Sequence, residues 1–276
     1  MLSVIVITKN EEGMIRVCLE SIKWADEIIV VDNGSTDGTL DIVKKYTDEQ
    51  SSRASRTKIV KFEGQDFAGL RNKAFEKATG DWVLYVDADE RVLEPLKQEV
   101  LVLISQNQKS AYALSRKNII FGQQVNYGPY KKDWVIRLFK RSDFDKWTGK
   151  IHETPYFKGK LGYTKNSLLH LTHRGVDQMV LKSLSWSNID AKLRLDAGHP
   201  KMSGWRFIRI FLTETFNQGI VRKGFFNGDI GIMDSFLQAF SMYMTYVRLW
   251  EMQQAKPLKE VYDNIDEKLL ENNFKF

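Results

Sequence analysis

Short apolar stretches alternate with helical patterns in the first 90 residues. Residues 4–8, 27–32, 58–62 and 82–86 are the apolar stretches, of the kind that forms strands covered on both faces of a sheet. Apolar residues recur at helical spacing over about 11–23, in the segment that ends near 45, and over 67–78. This alternation predicts right-handed βαβ crossovers and a mostly parallel central sheet flanked by helices.

The pattern changes twice after residue 90. A helix is predicted from Pro95 to about residue 105, followed by strands over 111–116, 118–121 and 135–140. From residue 176 the pattern is that of long helices, over about 180–193, 205–217 and 230–250. We therefore predict an α/β domain over 1–175 and a C-terminal helical region over 176–276. The stretch 230–250 is not expected to span a membrane, since Asp234 and Arg248 interrupt it.

Polar residues follow each of the first four predicted strands, at the edge of the sheet where ligands bind in open α/β folds. These residues are Thr8 with Asn10 and Glu11, then Asp32, then 63–66, and then Asp87 with Asp89. Neither G-x-G-x-x-G after the first strand nor a G-x-x-x-x-G-K-[ST] loop is present, so side chains would have to hold a nucleotide.

Individual side chains suit that task. Asp32 can accept hydrogen bonds from a ribose or a base edge, and Thr8 and Glu11 can line the same pocket. Arg71, on the third helix, can reach a phosphate. The alternatives are that Asp32 merely forms a turn and that Arg71 is a surface charge.

The fourth strand runs into the acidic sequence DADE. On an extended chain Asp87 and Asp89 would lie on the same side, about 6.6 Å apart along the strand. Two such carboxylates repel unless a cation sits between them, and Mg²⁺ or Mn²⁺ completes its shell with substrate phosphates. The alternative is an acidic segment that only opens a solvated loop.

The composition of the chain limits the size of its core, its cellular compartment and the charge of its partners. The 276 residues, 43% of them hydrophobic, suffice for one α/β core and an appendage. The single cysteine, Cys18, lies in a helical apolar pattern, so we expect a core residue and a reducing compartment. No basic leader precedes the first apolar run, which predicts a cytoplasmic protein. The net charge of +6 indicates an anionic partner, whether nucleotide, lipid phosphate or nucleic acid.

Three stretches carry a family resemblance: SVIVITKNEE, VVDNGSTDGT and FAGLRNKAFEKATGDWVLYVDADE, in that order. Together they resemble the inverting glycosyltransferases of family 2, which have a GT-A fold. Within that family the sequence is most similar to lipopolysaccharide inner-core glucosyltransferases and related surface-polysaccharide enzymes.

The resemblance implies a donor, an acceptor and a set of roles. The donor would be a nucleotide-sugar, with UDP as the expected nucleotide, and the acceptor a lipid-linked glycan rather than a nucleic acid. Residues 1–92 would form the nucleotide-sugar half and 93–175 the acceptor half. Thr8, Asn10, Glu11 and Asp32 would hold the nucleoside, Arg71 would lie near the donor, and Asp87 and Asp89 would bind Mg²⁺ or Mn²⁺ and the diphosphate.

Candidates for a third metal ligand and for a catalytic base lie further along the chain. A late histidine binds the metal in several GT-A enzymes, and His170 or His173 could do so here, although either could be a core histidine. An inverting transfer needs a general base for the acceptor hydroxyl. Glu153, in the sequence WTGKIHE, is the best candidate, because relatives share G-x-[IV]-H-E. His152 could orient it, touch a phosphate or act as the base itself, or the pair could be a structural corner.

Residues 201–228 combine apolar and basic character. Five basic residues oppose one acid, Glu214, among tryptophan, phenylalanine and isoleucine. This composition predicts contact with an anionic membrane surface at the inner face of the cytoplasmic membrane. The alternatives are packing on the catalytic domain or contact between copies in a homo-oligomer. Two other functions stay open: a nucleotidyltransferase, and a nucleotide-sugar-binding protein without activity.

Overall fold

The structure is a computed structural model that describes residues 1–48, 57–62, 67–149 and 153–271. The chain divides into two compact units, Met1–Thr172 and His173–Phe276. The first unit contains all the strands of the described residues, and the second is helical. The predicted fold class, a helix-flanked central sheet followed by a helical region, is confirmed.

The first unit begins with three βα repeats and a fourth strand. Its elements to the acidic strand end are β1 (Leu2–Thr8), α1 (Glu12–Ile22), β2 (Glu27–Asp32), α2 (Thr39–Asp48), β3 (Thr57–Lys61), α3 (Phe67–Lys77) and β4 (Trp82–Asp87). The later elements are β5 (Glu90–Arg91), α4 (Glu94–Gln106), β6 (Ala111–Ile120), β7 (Gln123–Val125), β8 (Trp134–Lys140), β9 (Phe144–Thr148), β10 (Thr154–Phe157) and β11 (Leu161–Leu171).

The main sheet has the strand order β3-β2-β1-β4-β8-β6-β11-β5, with β7 paired to β6. Strands β3, β2, β1 and β4 are parallel, as predicted from the βαβ pattern. Beyond β4 the sheet is mixed, because β8 runs antiparallel to both β4 and β6. This arrangement brings β8, β6 and β11 beside the acidic end of β4.

The core lies on both faces of the sheet. Successive residues of β4 alternate between two buried clusters, with Leu84 in one and Val83 and Tyr85 in the other. A strand that is apolar at every position buries both of its faces, which is why β1, β2 and β4 were recognisable as continuous apolar runs. Cys18 is fully buried in the first cluster, as predicted.

One predicted strand boundary was wrong, and one hairpin was not predicted. The two strands predicted over 111–116 and 118–121 form one strand, β6 (Ala111–Ile120), because Lys117 is an exposed position within a continuous strand and does not end it. The hairpin of β9 and β10 was not predicted. Its strands alternate too briefly to stand out from a loop.

Glu27 lies at the start of β2, at the end of the sheet opposite to Asp87 and Asp89. Its buried carboxylate accepts hydrogen bonds from Lys58 Nζ at 2.6 Å, from the Thr79 backbone N–H at 2.9 Å and from the Ser3 hydroxyl. These donors come from β3, from the loop before β4 and from β1. Burial by itself would raise the pKa of Glu27, but these hydrogen bonds lower it below its usual value.

Glu27→Ala is expected to lower the free energy of unfolding by about 3 kcal/mol, because it removes the acceptor of the buried Ser3 hydroxyl and of the Thr79 N–H. A lowered pKa means that the stabilisation is present above the unfolded-state pKa of about 4.3 and is lost as the pH falls below it. Denaturant unfolding should therefore separate variant from wild type at neutral pH and bring them together in acid. The exposed Glu76→Ala serves as control, with an expected change below about 0.5 kcal/mol.

The second unit consists of α5 (Val176–Asp196), α6 (Gly204–Phe216), α7 (Gly228–Met252) and α8 (Leu258–Leu270). Helices α5, α6 and α7 share a small core of Ala191, Met202, Ile210 and Leu249. Over the described part of the chain, none of the helices combines the length and the apolar character needed to cross a bilayer.

Candidate active site

Polar side chains converge where β1, β2 and β4 end. Thr8 and Asp32 are register partners at the ends of β1 and β2, and Asp87 at the end of β4 pairs with Ile7. Parallel strands bring these ends to one edge of the sheet, as the sequence predicted. Residues 63–66, the predicted polar end of the third strand, lie outside the described residues.

Two loops are joined along this edge. Asn10 adopts a left-handed backbone conformation, with φ of 54°, and its Oδ1 accepts a hydrogen bond from the Thr36 N–H at 2.7 Å. The Asn10 N–H donates to the Ser35 hydroxyl, and the Glu11 N–H donates to the Thr39 hydroxyl at 2.8 Å. The β1–α1 loop is thereby fixed to the β2–α2 loop, and the predicted nucleoside residues lie on one rim.

Thr8 and Asp32 are both buried at this rim. The Asp32 carboxylate accepts the Ser35 N–H at 3.2 Å, and its remaining lone pairs can accept further donors. Within the described residues the Thr8 hydroxyl has no hydrogen-bond partner. Buried polar atoms are rarely left unsatisfied, so this hydroxyl has capacity for a ligand.

Asp87 lies between two guanidinium groups. Its Oδ1 is 3.1 Å from Arg71 Nη2, and its Oδ2 pairs with Arg137 Nη2. Burial alone would raise the pKa of Asp87, but Arg137 and then Arg71 hold it well below the usual range. Asp87 is therefore ionised at neutral pH and fixes two buried arginines at the strand end.

Arg71 is held by aromatic rings as well as by Asp87. Its guanidinium carbon lies 5.0 Å from the ring centroid of Trp147 and 5.5 Å from that of Tyr85, both within cation–π range. Within the described residues its Nε and Nη1 atoms have no hydrogen-bond partner. The alternative that Arg71 is a surface charge is wrong, since it is buried at the site.

The geometry expected for the Asp87–Asp89 pair was wrong. Strand β4 ends at Asp87, and Ala88 and Asp89 form a turn before the short strand β5. Strand alternation therefore does not relate the two carboxylates, and they contact different groups. Asp89 Oδ2 lies 3.3 Å from Nε2 of His170, and the Asp89 carbonyl accepts the Leu171 N–H from β11.

A chain of hydrogen bonds sets the orientation of His170. Asp133 is only an acceptor, so Asn118 turns its Nδ2 toward Asp133 Oδ2, at 2.9 Å, and its Oδ1 toward His170 Nδ1, at 2.6 Å. The Nδ1 atom therefore carries a proton. In the neutral imidazole, Nε2 then presents a lone pair toward Asp89.

Arg116 and Glu90 link this chain to Asp87. Arg116 binds Asp133 through two nitrogens, at 2.9 and 2.8 Å, and its Nη1 lies 3.5 Å from Glu90 Oε1. Glu90 is fully buried, accepts the Asp87 N–H at 2.9 Å and lies 3.8 Å from Arg137. Burial raises the pKa of Glu90, and the neighbouring Asp87 adds to this against the effect of Arg137.

The remaining predicted site residues are Glu153, His152 and His173. Glu153 is half-buried and precedes β10. Although burial opposes the charged form of Arg137, the carboxylates of Asp87, Glu90 and Glu153 raise its pKa, so the charge of Glu153 acts on this site. His152 lies outside the described residues, and His173 belongs to the second unit.

No group of three or more His, Cys, Asp or Glu side chains that could hold a metal converges in residues 1–48, 57–62, 67–149 or 153–271. The predicted ligands Asp89 and His170 form a pair, and both oxygens of Asp87 face arginines. The roles of Asp87, Asp89 and His170 in metal binding thus stay predictions. A pair of ligands is still compatible with a cation that takes its other ligands from substrate phosphates.

Sequence reasoning missed five residues of the network. These are Glu90, Arg116, Asn118, Asp133 and Arg137. A signal was present for some of them, since Arg116, Asn118 and Arg137 interrupt apolar strand patterns. Charged residues are almost never buried without a partner, so a charge within a buried strand indicates a polar site.

The comparisons with known proteins agree with these features. The model of glycosyl transferase family 2 matches residues 3–160. The lipopolysaccharide core biosynthesis glycosyltransferase LpsC of Rhizobium meliloti (strain 1021) is 27% identical over 259 residues, covering 89% of this chain and 93% of that protein.

Two solved structures are similar to the chain at lower identity. S. aureus TarS 1-349 in complex with UDP has 16% identity and a TM-score of 0.45, covering 79% of this chain and 71% of that one. Glucosyl-3-phosphoglycerate synthase from Mycobacterium tuberculosis, in complex with Mn²⁺, UDP and glucosyl-3-phosphoglycerate, has 22% identity and a TM-score of 0.34, covering 43% and 44%. Because the family model matches more than half of the chain, the protein belongs to glycosyltransferase family 2 and has the predicted GT-A-type α/β fold.

Proposed function

We propose that the protein transfers a sugar, with inversion, from a UDP-sugar to a hydroxyl of a lipid-linked glycan such as a lipopolysaccharide core, with the help of a divalent cation. The observation that carries this proposal is the end of β4, where Asp87 anchors two arginines and Asp89 faces His170. A diphosphate needs positive groups around it, and this edge of the sheet offers them beside a rim suited to a nucleoside.

The donor side of the proposal rests on Thr8, Asp32 and Arg71. The Thr8 hydroxyl, which has no partner in the described part of the chain, and the buried Asp32 carboxylate would bind the nucleoside, with Asn10 and Glu11 on the same rim. Arg71 keeps two nitrogens without partners among the described residues, and these would donate to a phosphate oxygen.

Asp89 and His170 fit a divalent cation. The Nδ1–H of His170 is committed to Asn118, which is the arrangement that orients an imidazole for a metal. An imidazole beside a carboxylate suits Mn²⁺ better than Mg²⁺, and Asp87 has lone pairs left to join as a third ligand. When bound, the cation supplies positive charge to the departing diphosphate.

Glu153 would take the proton of the acceptor hydroxyl as that oxygen attacks the anomeric carbon from the face opposite the nucleotide. Its charge already acts on Arg137, which is paired with Asp87. An inverting displacement requires a base beside the acceptor hydroxyl, and the effect of Glu153 on Arg137 supports a carboxylate near the reacting groups. His152, its neighbour in sequence, would orient the carboxylate.

The acceptor and the place of action follow from two further observations. The similar protein LpsC acts in lipopolysaccharide core biosynthesis by its name, and residues 201–228 carry five basic side chains against one acid. We infer an enzyme that works at the inner face of the cytoplasmic membrane, on an acceptor anchored there.

Thermal shift with UDP- and GDP-sugars, with and without Mn²⁺, tests the proposal. A UDP-sugar together with Mn²⁺ at a hundred times its dissociation constant should raise the Tm by roughly 5 °C or more, since a ligand that binds only the native state stabilises it. Each component alone should give a smaller rise. The same donor should release UDP when acceptor is added.

Other results would contradict the proposal in distinct ways. Pyrophosphate as the product would indicate a nucleotidyltransferase. A Tm rise without transfer to any lipid-linked glycan would indicate a binding protein. A rise that does not depend on Mn²⁺ would remove the cation from the mechanism.

A further inference from the structure

Helix α6 carries an apolar stripe that faces outward. Trp205, Ile208, Leu212 and Phe216 follow one another at spacings of three and four residues, and their side chains are 55–70% exposed. At 100° per residue these positions fall within an arc of about 80° on one side of the helix, over about 17 Å. The opposite side of α6 buries Ile210 in the core of the second unit.

The stripe continues into the turn between α6 and α7. A π-helical turn over Asn217–Val221 and a 3-10 turn over Gly224–Phe226 connect the helices. Val221 is 61% exposed and Phe226 is 71% exposed. The outward face thus adds an aliphatic and an aromatic side chain at its far end.

This turn is tightly packed, so its apolar side chains are displayed by a fixed backbone. A Cβ atom at Gly224 would collide with the Ser235 hydroxyl, and one at Gly231 would collide with the Gly224 carbonyl. Only glycine allows the turn to approach α7 so closely. Exposed apolar groups on an ordered turn are unusual in a monomeric protein unless another surface covers them.

Basic residues border the apolar ones. Arg209 is exposed and lies next to the stripe on the helical projection, and the exposed Arg222 and Lys223 lie in the turn beside Val221. The acid of this segment, Glu214, lies on the opposite side of α6. Apolar side chains bordered by cationic ones are suited to the boundary between lipid headgroups and acyl chains.

We propose that the outer face of α6 and the α6–α7 turn form a docking surface for an anionic lipid bilayer, lying in the plane of the interface. Charge complementarity favours this partner over a second copy of the chain. A two-fold contact would set the stripe against itself and bring Arg209 and its neighbours close to their own copies. An anionic bilayer instead accepts both the apolar and the basic groups.

Vesicle binding by the full-length protein tests this surface independently of catalysis. We expect the wild type to sediment with phosphatidylcholine vesicles that contain phosphatidylglycerol, and to do so much less with pure phosphatidylcholine or at high salt. The double variant Leu212→Ser/Phe226→Ser should bind about tenfold more weakly. Leu181→Ser is the matched control, because Leu181 is 66% exposed on α5.

Two more readouts decide the outcome. Tryptophan emission should shift to the blue on binding of anionic vesicles, and Trp205→Phe should remove much of that shift. Binding that is equal for neutral and anionic vesicles, or unchanged in the double variant, would overturn the proposal. A dimer in solution that the double variant converts to monomers would also overturn it, in favour of a second copy. Release of UDP from the donor, measured with a soluble acceptor glycan, should stay unchanged in the double variant, so failure of docking and failure of the proposed function are distinguishable.

Discussion

Asp89→Asn is expected to lower the rate of sugar transfer by about 10³-fold while the protein stays folded. The substitution keeps the shape of the side chain and removes the negative charge that faces His170. Loss of a carboxylate ligand for a cation that stabilises the leaving diphosphate is worth several kcal/mol, and each 1.36 kcal/mol changes the rate tenfold. UDP release is the measurement, and the Mn²⁺-dependent rise in Tm should disappear with it.

Asn118→Ala tests the residue that would orient the proposed metal ligand His170. Asn118 fixes the imidazole of His170 through Nδ1, so its loss should weaken Mn²⁺ binding by about 10- to 100-fold. Activity should then recover at higher Mn²⁺ concentration, whereas Asp89→Asn should not recover. Near-normal turnover of Asp89→Asn in the absence of added metal would contradict the cation mechanism.

The strands that build the site were predictable because they are apolar throughout. Strands β1, β2 and β4 lie in the middle of the sheet and are covered on both faces, so their sequences are uninterrupted apolar runs that end in polar residues. The positions of Thr8, Asp32 and Asp87 at one edge followed from parallel pairing alone. No knowledge of long-range contacts was needed for that part of the site.

The arginine network could not be predicted without knowledge of long-range contacts. Arg137 reaches Asp87 because β8 pairs antiparallel with β4, and the sequence does not specify that pairing between residues 50 positions apart. Asn118 and His170 meet for the same reason, through the parallel pair of β6 and β11. The sequence indicates that a charge within a buried strand needs a partner. Which residue is that partner depends on the order of the strands, and this cannot be predicted from local sequence.

The Asp87–Asp89 pair illustrates a different failure. The prediction assumed an extended backbone through Asp89, but β4 ends at Asp87 and a turn follows that directs Asp89 toward β11. Strand ends are where local pattern is weakest, because hydrogen bonds from the next element decide where the ladder stops. As a result Asp87 pairs with Arg71 and Arg137, whereas Asp89 faces His170.

Glu153→Gln is expected to lower the turnover rate by about 10³-fold and to leave donor binding intact. A general base contributes about 10²- to 10⁴-fold, and glutamine keeps the size of the side chain but cannot take a proton. The Tm rise produced by UDP-sugar and Mn²⁺ should therefore match that of the wild type. This combination distinguishes the base from Asp89, whose loss should abolish the Mn²⁺-dependent rise.

Asp145→Asn is the matched control, because Asp145 is an exposed carboxylate on β9, the strand that pairs with β10 just after Glu153. It should keep wild-type turnover. If Glu153→Gln retains turnover within about tenfold of the wild type, the carboxylate is not the base. In that case His152→Ala should show the loss instead, since the imidazole would be the group that takes the acceptor proton.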